Sequence, residues 1–178
     1  LHSFPTRRSS DLSDTPMECT AVAAILQHNT SGIISLKGRG MDRPKGLEGN
    51  TYLTWDSPIE LAMMENVVTA DGGDWSKVNL IPNTVTEEAQ DVKTNPDHAI
   101  WIFAGWAGVN ADVNGIDTDL FLFSDINPVF DYYTPVLIAN NDFLANEPET
   151  AKAFLAATAK GYEYAVKDPE SAAAILIE

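Results

Sequence analysis

The C-terminal third of the chain opens with the run Asp131-Tyr132-Tyr133-Thr134-Pro135-Val136-Leu137-Ile138-Ala139. Two polar-tipped aromatic residues precede a proline and an apolar stretch, a pattern typical of the entrance to a buried strand. A turn-like segment follows, and then Asn146-Glu147-Pro148-Glu149 predicts the start of a helix. Proteins that alternate strands and helices place ligand contacts at such junctions, so Asp131, Tyr132 and Tyr133 are candidate binding residues.

Short apolar runs alternate with helical patterns over the rest of the chain. The apolar run 20–27 fits a strand or a helix equally well by its periodicity. The predicted strands are 33–36, 51–54, 78–82, 98–103, 120–123 and 135–139. The predicted helices run from Asp56 to Asp71, from Val85 to Val92, from about Glu147 to Ala165, and onward from Asp168. Near-continuous apolar strands separated by helices predict an α/β fold: a mostly parallel sheet with helices on both faces.

The composition excludes several classes of function. The 178 residues carry a formal net charge of −15, which disfavours binding to nucleic acid or to anionic membranes because both are polyanions. Cys19 is the single cysteine, so neither an internal disulfide framework nor a multi-cysteine metal site is expected. The histidines lack the spacing of metal ligands, and phosphate-binding and dinucleotide-binding glycine patterns are missing from the sequence. We therefore predict no metal, no cofactor and no catalytic residue.

The first twelve residues, Leu1 to Leu12, differ from the rest of the chain. They show neither a helical nor a strand period, and they resemble the translation of a sequencing adapter. We expect them to lie outside the fold, the alternative being a genuine loose terminus. They lack the apolar core of a signal peptide.

The loop Trp55-Asp56-Ser57 joins a predicted strand to a helix that begins near Pro58. Free backbone amides at a helix N-terminus can hold a carboxylate, a phosphate or a ring oxygen. The alternative is that Asp56 or Ser57 only caps the helix. The Asp56 carboxylate itself argues against a strongly anionic ligand.

Aromatic side chains also cluster at the end of the strand 98–103. Trp101 and Phe103 are two residues apart and should share one face of the strand, with Trp106 just beyond. These rings predict either a wall on which a ligand ring stacks or ordinary core packing.

Two further groups complete the predicted site. Asn29 and Thr30 supply donors and acceptors at the end of the run 20–27. Tyr132 and Tyr133 should face opposite sides if their segment is extended, which leaves at least one of them for a ligand. Stacked rings beside the Asp131 carboxylate suit a neutral or cationic nitrogen heterocycle, and Asp131 would accept a hydrogen bond from its amino group.

Several blocks of the sequence together resemble the substrate-binding proteins of ABC importers that are related to the thiamine-pyrimidine-precursor and riboflavin binders. The resemblance extends from about Pro16 to Glu178 and rests on the blocks 27–35, 44–49, 55–60, 101–106 and 131–136. It implies two α/β lobes of the type II periplasmic-binding fold with a ligand between them. It also implies a chain that lacks most of the first lobe: residues 13–30 would cross from lobe one, 31–130 would form lobe two, and 131–178 would return to lobe one.

The same resemblance implies partners and a location. The ligand would be a pyrimidine or a related small heteroaromatic, and the protein partner would be the importer's permease. The complete protein would be extracytoplasmic and attached to the membrane through a lipid anchor. A pyrimidine-precursor synthase and a ligand-sensing regulatory domain are the alternatives on this fold. The related synthases carry a cysteine-rich motif that Cys19 alone cannot supply, which favours transport.

Overall fold

The computed structural model describes residues 18–177 of the chain. Its strands are β1 (Cys19–Ala24), β2 (Ser31–Leu36), β3 (Thr51–Thr54), β4 (Asn79–Pro82), β5 (His98–Phe103), β6 (Thr118–Leu122) and β7 (Val136–Asn140). Its α-helices are α1 (Pro58–Ala70), α2 (Glu88–Thr94), α3 (Val109–Val113), α4 (Phe123–Ile126), α5 (Asn141–Asn146), α6 (Pro148–Lys167) and α7 (Pro169–Ile177). The prediction that Leu1 to Leu12 lie outside the fold concerns residues beyond this described range.

The described residues divide into two compact units, one formed by residues 18–26 together with 135–177 and the other by residues 27–134. The second unit contains a five-stranded sheet with the order β4-β3-β5-β2-β6. Strand β3 pairs in parallel with β4 and β5, whereas β2 pairs antiparallel with both β5 and β6. Four strands therefore run in one direction and β2 alone is reversed, so the sheet is mixed.

The expected α/β fold with helices on both faces of the sheet is confirmed by the two core clusters of the second unit. Ile33, Tyr52 and Trp101 pack with Met64 and Val67 of α1 on one face. Neighbouring residues of the same strands point the other way, because side chains alternate along a strand. This second face packs against helices α2 and α3 through a cluster that contains Ile34, Leu53, Ile100, Val92 and Ala111.

Local sequence signals account for most element boundaries, with two informative differences. Helix α2 begins at Glu88 rather than at the predicted Val85, because the Val85 N–H donates to Asn83 Oδ1 at 2.8 Å in a turn that competes with the helix. The predicted last strand residue, Phe123, instead starts α4 and is fully buried. Its ring meets Trp101 and Phe130, contacts that a local pattern does not contain.

The first unit is built around a two-stranded antiparallel sheet. β1 pairs with β7, so that Cys19 lies opposite Asn140 and Ala24 opposite Val136. The ambiguous run 20–27 is therefore a strand up to Ala24. Helix α6 begins at Pro148, close to the predicted position, and α7 begins at Pro169 after Asp168, as its cap and first-turn proline indicate. The unit leaves large apolar side chains such as Ile138, Phe154 and Leu176 exposed.

Candidate functional site

One edge of the five-stranded sheet collects the predicted site residues. The parallel strands β3 and β5 end at this edge, which we call the carboxyl edge. The reversed strand β2 begins there, with Ser31 opposite Phe103, and the Ala104 N–H donates to the Thr30 carbonyl oxygen at 2.9 Å. Reversal of β2 thus places Asn29 and Thr30 beside the segments that follow its two neighbours, β5 and β6.

Asn29 links this edge to the segment that contains Asp131. The Asn29 N–H donates to Asp131 Oδ1 at 3.0 Å, and Asn29 Nδ2 donates to the Phe130 carbonyl oxygen at 2.9 Å. Asn29 Oδ1 accepts from the N–H and the hydroxyl of Ser31, at 2.9 and 2.7 Å. The residue is 1% exposed, so its side chain holds the edge together in this structure, and its role toward a ligand stays a prediction.

Asp131 is engaged by its own chain through both carboxylate oxygens. Oδ2 lies 2.9 Å from His28 Nδ1, and Oδ1 accepts from the Asn29 N–H. These hydrogen bonds, the one from His28 being the largest influence, lower the pKa of Asp131 below its ordinary value. The carboxylate therefore stays charged near neutral pH, with its strongest acceptor positions occupied.

Tyr132 and Tyr133 follow Asp131 in an irregular segment, not in a strand. Both rings are nearly half exposed, so neither is a core residue, whereas the sequence pattern allowed one of them to be core. Partial burial raises the pKa of the Tyr132 hydroxyl, although a hydrogen bond from the Asn29 side chain acts in the opposite direction. The segment thus offers two partly exposed aromatic surfaces.

The loop after β3 is held by a residue that the sequence analysis did not single out, Glu60. This buried carboxylate accepts hydrogen bonds from the Tyr52 hydroxyl and from the Thr54 hydroxyl, the latter at 3.1 Å. It also accepts from the backbone N–H groups of Trp55 and Ser57. Burial beside this carboxylate raises the pKa of Tyr52 well above its ordinary value, so the phenol remains a donor.

Ser57 is the N-cap of α1 and forms a capping box with Glu60. The Ser-x-x-Glu spacing is the signal in the sequence that could have identified Glu60. The capping alternative for Ser57 is therefore observed, and its role toward a ligand stays a prediction. Asp56 is exposed and has φ = 57°, the only positive φ of a non-glycine residue among residues 18–177. Such a backbone is uncommon outside glycine and often marks turns at functional sites.

Trp101 and Trp55 form the aromatic centre of the edge. Their ring centroids are 5.3 Å apart, and Trp101 also lies 4.2 Å from the ring of Phe123. Trp101 is only 8% exposed and belongs to the core, whereas Trp55 is half exposed. Trp101 therefore packs in the core, which was one of the two alternatives for its ring. Trp55 instead offers the exposed surface on which a ligand ring could stack.

The Trp101 indole nitrogen has an unusual environment. Among residues 18–177, Trp101 Nε1 is the only fully buried side-chain polar atom that lacks a hydrogen-bond partner. An unsatisfied buried donor destabilises a fold by roughly 1–3 kcal/mol, so such groups are rare and call for an explanation.

Trp106 presents the most exposed ring at the edge. It lies in the π-helical turn Ala104–Gly108 that follows β5, and it is 79% exposed. Phe103, which shares its strand face with Trp101 as expected, is also exposed. A π-helical turn is frequently found at functional sites, because it re-aims side chains relative to a regular helix.

The described part of the chain contains no group of three or more His, Cys, Asp or Glu side chains arranged to hold a metal ion. Within the same residues, no helix has both the length and the apolar character that crossing a membrane requires. The groups at the carboxyl edge are thus aromatic rings, backbone amides, and the Asp56 and Asp131 carboxylates. This set can stack against a flat ligand and exchange hydrogen bonds with it.

Comparison with known proteins finds similar sequences and structures among binding proteins. A formylaminopyrimidine-binding protein of Halalkalibacterium halodurans is 27% identical over 175 residues, which cover 96% of this chain and 50% of that protein. The chain therefore spans about half the length of the curated relative that it matches. The periplasmic aliphatic sulphonate binding protein SsuA from Escherichia coli superposes with a TM-score of 0.65 at 14% identity, over 89% of this chain and 53% of SsuA.

A second similar structure is that of an enzyme. The desulfurization enzyme DSZB superposes with a TM-score of 0.51 at 9% identity, over 75% of this chain and 52% of the enzyme. At this level of identity the two solved structures show a common fold, that of the periplasmic binding proteins, and not a common ligand. Residues 11–172 match the family described as NMT1/THI5 like, and the chain belongs to that family.

Proposed function

We propose that this chain is part of the solute-binding component of an ABC importer and that its ligand is an aminopyrimidine or a closely related heteroaromatic. One observation carries the proposal. The exposed rings of Trp55, Trp106 and Tyr133 lie in segments next to one edge of the sheet, which supports a stacking site there. The formylaminopyrimidine-binding relative supports a pyrimidine as the ligand.

The chemistry of the edge favours a flat, neutral or cationic ring over an anion. Each well-placed aromatic partner contributes roughly 0.5–1.5 kcal/mol to a stacked ring beyond the area that it buries. Asp56 and Asp131 add negative charge at the same edge, which would repel a sulfonate. A pyrimidine that carries an amino group matches both features.

Binding, not catalysis, is also what the carboxylates support. Glu60 accepts hydrogen bonds from Tyr52, Thr54, Trp55 and Ser57. Asp131 accepts from His28 and Asn29. The hydrogen bonds to Asp131 lower its pKa, which makes this carboxylate a weak general base. The oxygens of Glu60 are likewise occupied by donors of its own chain, so both carboxylates favour positioning of the rings over acid–base catalysis in a pyrimidine-forming enzyme.

The whole protein would have two lobes. Residues 27–134 would correspond to the second lobe, which the sequence analysis bounded at 31–130, and the first unit would belong to the first lobe. The exposed apolar residues Ile138, Phe154 and Leu176 of the first unit support this assignment, because a longer relative has more chain with which to cover them. Its partner would be the importer's permease, and the complete protein would be extracytoplasmic, attached by a lipid anchor.

Ligand-detected NMR with the 178-residue chain tests the ligand class. We expect saturation transfer to formylaminopyrimidine and none to taurine, an aliphatic sulfonate. Isothermal titration should give micromolar or weaker affinity, because contacts from one part of a cleft must still offset the lost freedom of the ligand. Binding of taurine without binding of the pyrimidine would overturn the proposal.

A further inference from the structure

We infer that the Trp101 indole N–H is a hydrogen-bond donor to the ligand and that the Trp55 ring covers this donor until the ligand displaces it. The inference rests on the proposed function and adds a specificity-determining group to the same site. Its starting point is the unpartnered Trp101 Nε1, buried in a side chain that is 8% exposed.

Core packing alone does not explain why this position carries an indole N–H. Trp101 lies in β5, two residues before Phe103, at the carboxyl edge where the exposed rings gather. Its ring packs against Phe123, which in turn packs against Phe130. The carbons of these rings offer no acceptor comparable to an oxygen or nitrogen. A phenylalanine would fill such an apolar position without leaving a donor unsatisfied.

The cover over Trp101 has the properties of a movable group. Trp55 contacts Trp101 on one side and is half exposed on the other. Its backbone N–H donates to both oxygens of Glu60, at 3.1 and 3.0 Å, so the main chain of the loop is fixed. The side chain can therefore change its rotamer without refolding the loop, and side chains of exposed residues do so rapidly.

The chemistry of an indole defines what would bind. The nitrogen is a donor only, so the ligand atom that faces it must be an acceptor. An unprotonated ring nitrogen of a pyrimidine, or a carbonyl oxygen of a related heterocycle, meets this requirement. A carbocyclic ring of the same shape does not, although it stacks on the same aromatic surfaces.

Proton–nitrogen NMR of the four tryptophan indoles tests the cover before any ligand is added. Single Trp→Phe variants assign the four resonances. In Trp55→Ala, we expect the Trp101 indole proton to exchange with water at least tenfold faster than in the unmodified chain. The Trp75 indole, which packs against Tyr52, serves as the control and should not change. An unchanged Trp101 exchange rate would overturn the idea that Trp55 covers it.

Addition of ligand tests the donor itself. The probes are an aminomethylpyrimidine and the aminotoluene of the same shape, in which C–H groups replace the ring nitrogens. We expect the pyrimidine to shift the Trp101 indole proton resonance downfield. The aminotoluene should shift only the Trp55 and Trp106 resonances. Trp101→Phe should weaken the pyrimidine about tenfold and leave the aminotoluene unchanged, because only the pyrimidine loses a hydrogen bond.

The outcomes separate this inference from the proposed function. If the Trp55 and Trp106 indole resonances shift to saturation as pyrimidine is added while the Trp101 resonance does not shift, the chain binds the ligand and the inference is wrong. Equal weakening of both probes in Trp101→Phe would also overturn it, since that result reports lost packing. If no indole responds to the pyrimidine at any concentration, the proposed function fails and the inference fails with it.

Discussion

His28 and Asp131 meet across 103 positions of the sequence, with His28 Nδ1 2.9 Å from Asp131 Oδ2. The adjacent Asn29 N–H donates to the other oxygen of the same carboxylate at 3.0 Å. These bonds join the first residues of the second unit to its last ones. Because this contact links the two ends of the unit, its strength should influence the stability of the unit and the position of Tyr132.

The pH dependence of stability should reveal the Asp131 bonds. The folded pKa of Asp131 lies below the value near 3.9 that an unfolded aspartate has, so the bonds stabilise the fold above about pH 4. This contribution is lost as the pH falls through the lower folded pKa. We expect Asp131→Asn to unfold at lower denaturant than the unmodified chain at pH 7, with the difference shrinking below pH 4. Asp125→Asn, at an exposed aspartate of the same unit, controls for the loss of one negative charge. A difference that does not vary with pH would show that the Asp131 charge is not involved.

Removal of Glu60 should destabilise the carboxyl edge. Glu60→Ala leaves the hydroxyls of Tyr52 and Thr54 and two backbone N–H groups without their acceptor. We expect a loss of about 2–4 kcal/mol in the free energy of unfolding, measured by urea denaturation followed by circular dichroism. Glu60→Gln keeps one acceptor oxygen and should lose less.

The matched control for that variant is Glu65→Ala on the exposed face of α1. A surface substitution of this kind changes stability by no more than about 0.5 kcal/mol. Equal effects at Glu60 and Glu65 would mean that the hydrogen bonds to Glu60 contribute nothing beyond helix propensity.

Substitutions at Asp56 test whether the backbone is strained at this residue. At φ = 57°, glycine should be tolerated better than alanine, because glycine has no Cβ to clash in the left-handed region. We expect Asp56→Gly to be more stable than Asp56→Ala by about 1 kcal/mol in thermal unfolding. The reverse order would show that the loop relaxes to another conformation once the aspartate is removed.

The exposed rings should carry most of the affinity for a heteroaromatic ligand. Trp106→Ala and Tyr133→Ala should each weaken the binding of a pyrimidine by about ten- to a hundredfold, through lost stacking and lost buried area. Both rings are substantially exposed in this structure, so the variants should fold. Titration calorimetry provides the affinities, with Val113→Ala, at an exposed residue of α3, as the control. Unchanged affinity in both aromatic variants would place the site elsewhere.

Asp131 shows which features of the site could be predicted from the sequence. Its neighbourhood of aromatic residues predicted a ligand contact, and the structure does bring it to the carboxyl edge through Asn29. The partners of its carboxylate lie about a hundred residues earlier in the chain, and no local pattern encodes such a pairing. For the same reason the sequence did not predict that the Asn29 amide hydrogen-bonds to Ser31 and Phe130, and its contact with a ligand stays a prediction.

The sequence by itself determined the local elements. Periodicity, the proline at the start of α1 and the cap before α7 follow from interactions within a few residues, so helices α1, α2, α6 and α7 and most strands could be placed in advance. The short helices α3, α4 and α5 were not predicted. Tertiary structure decided the rest. The reversal of β2, the pairing of β1 with β7 and the burial of Trp101 under Trp55 depend on contacts between residues that are distant in the chain. Such contacts become favourable only after the chain has closed the intervening loops, which is why no short stretch of sequence records them.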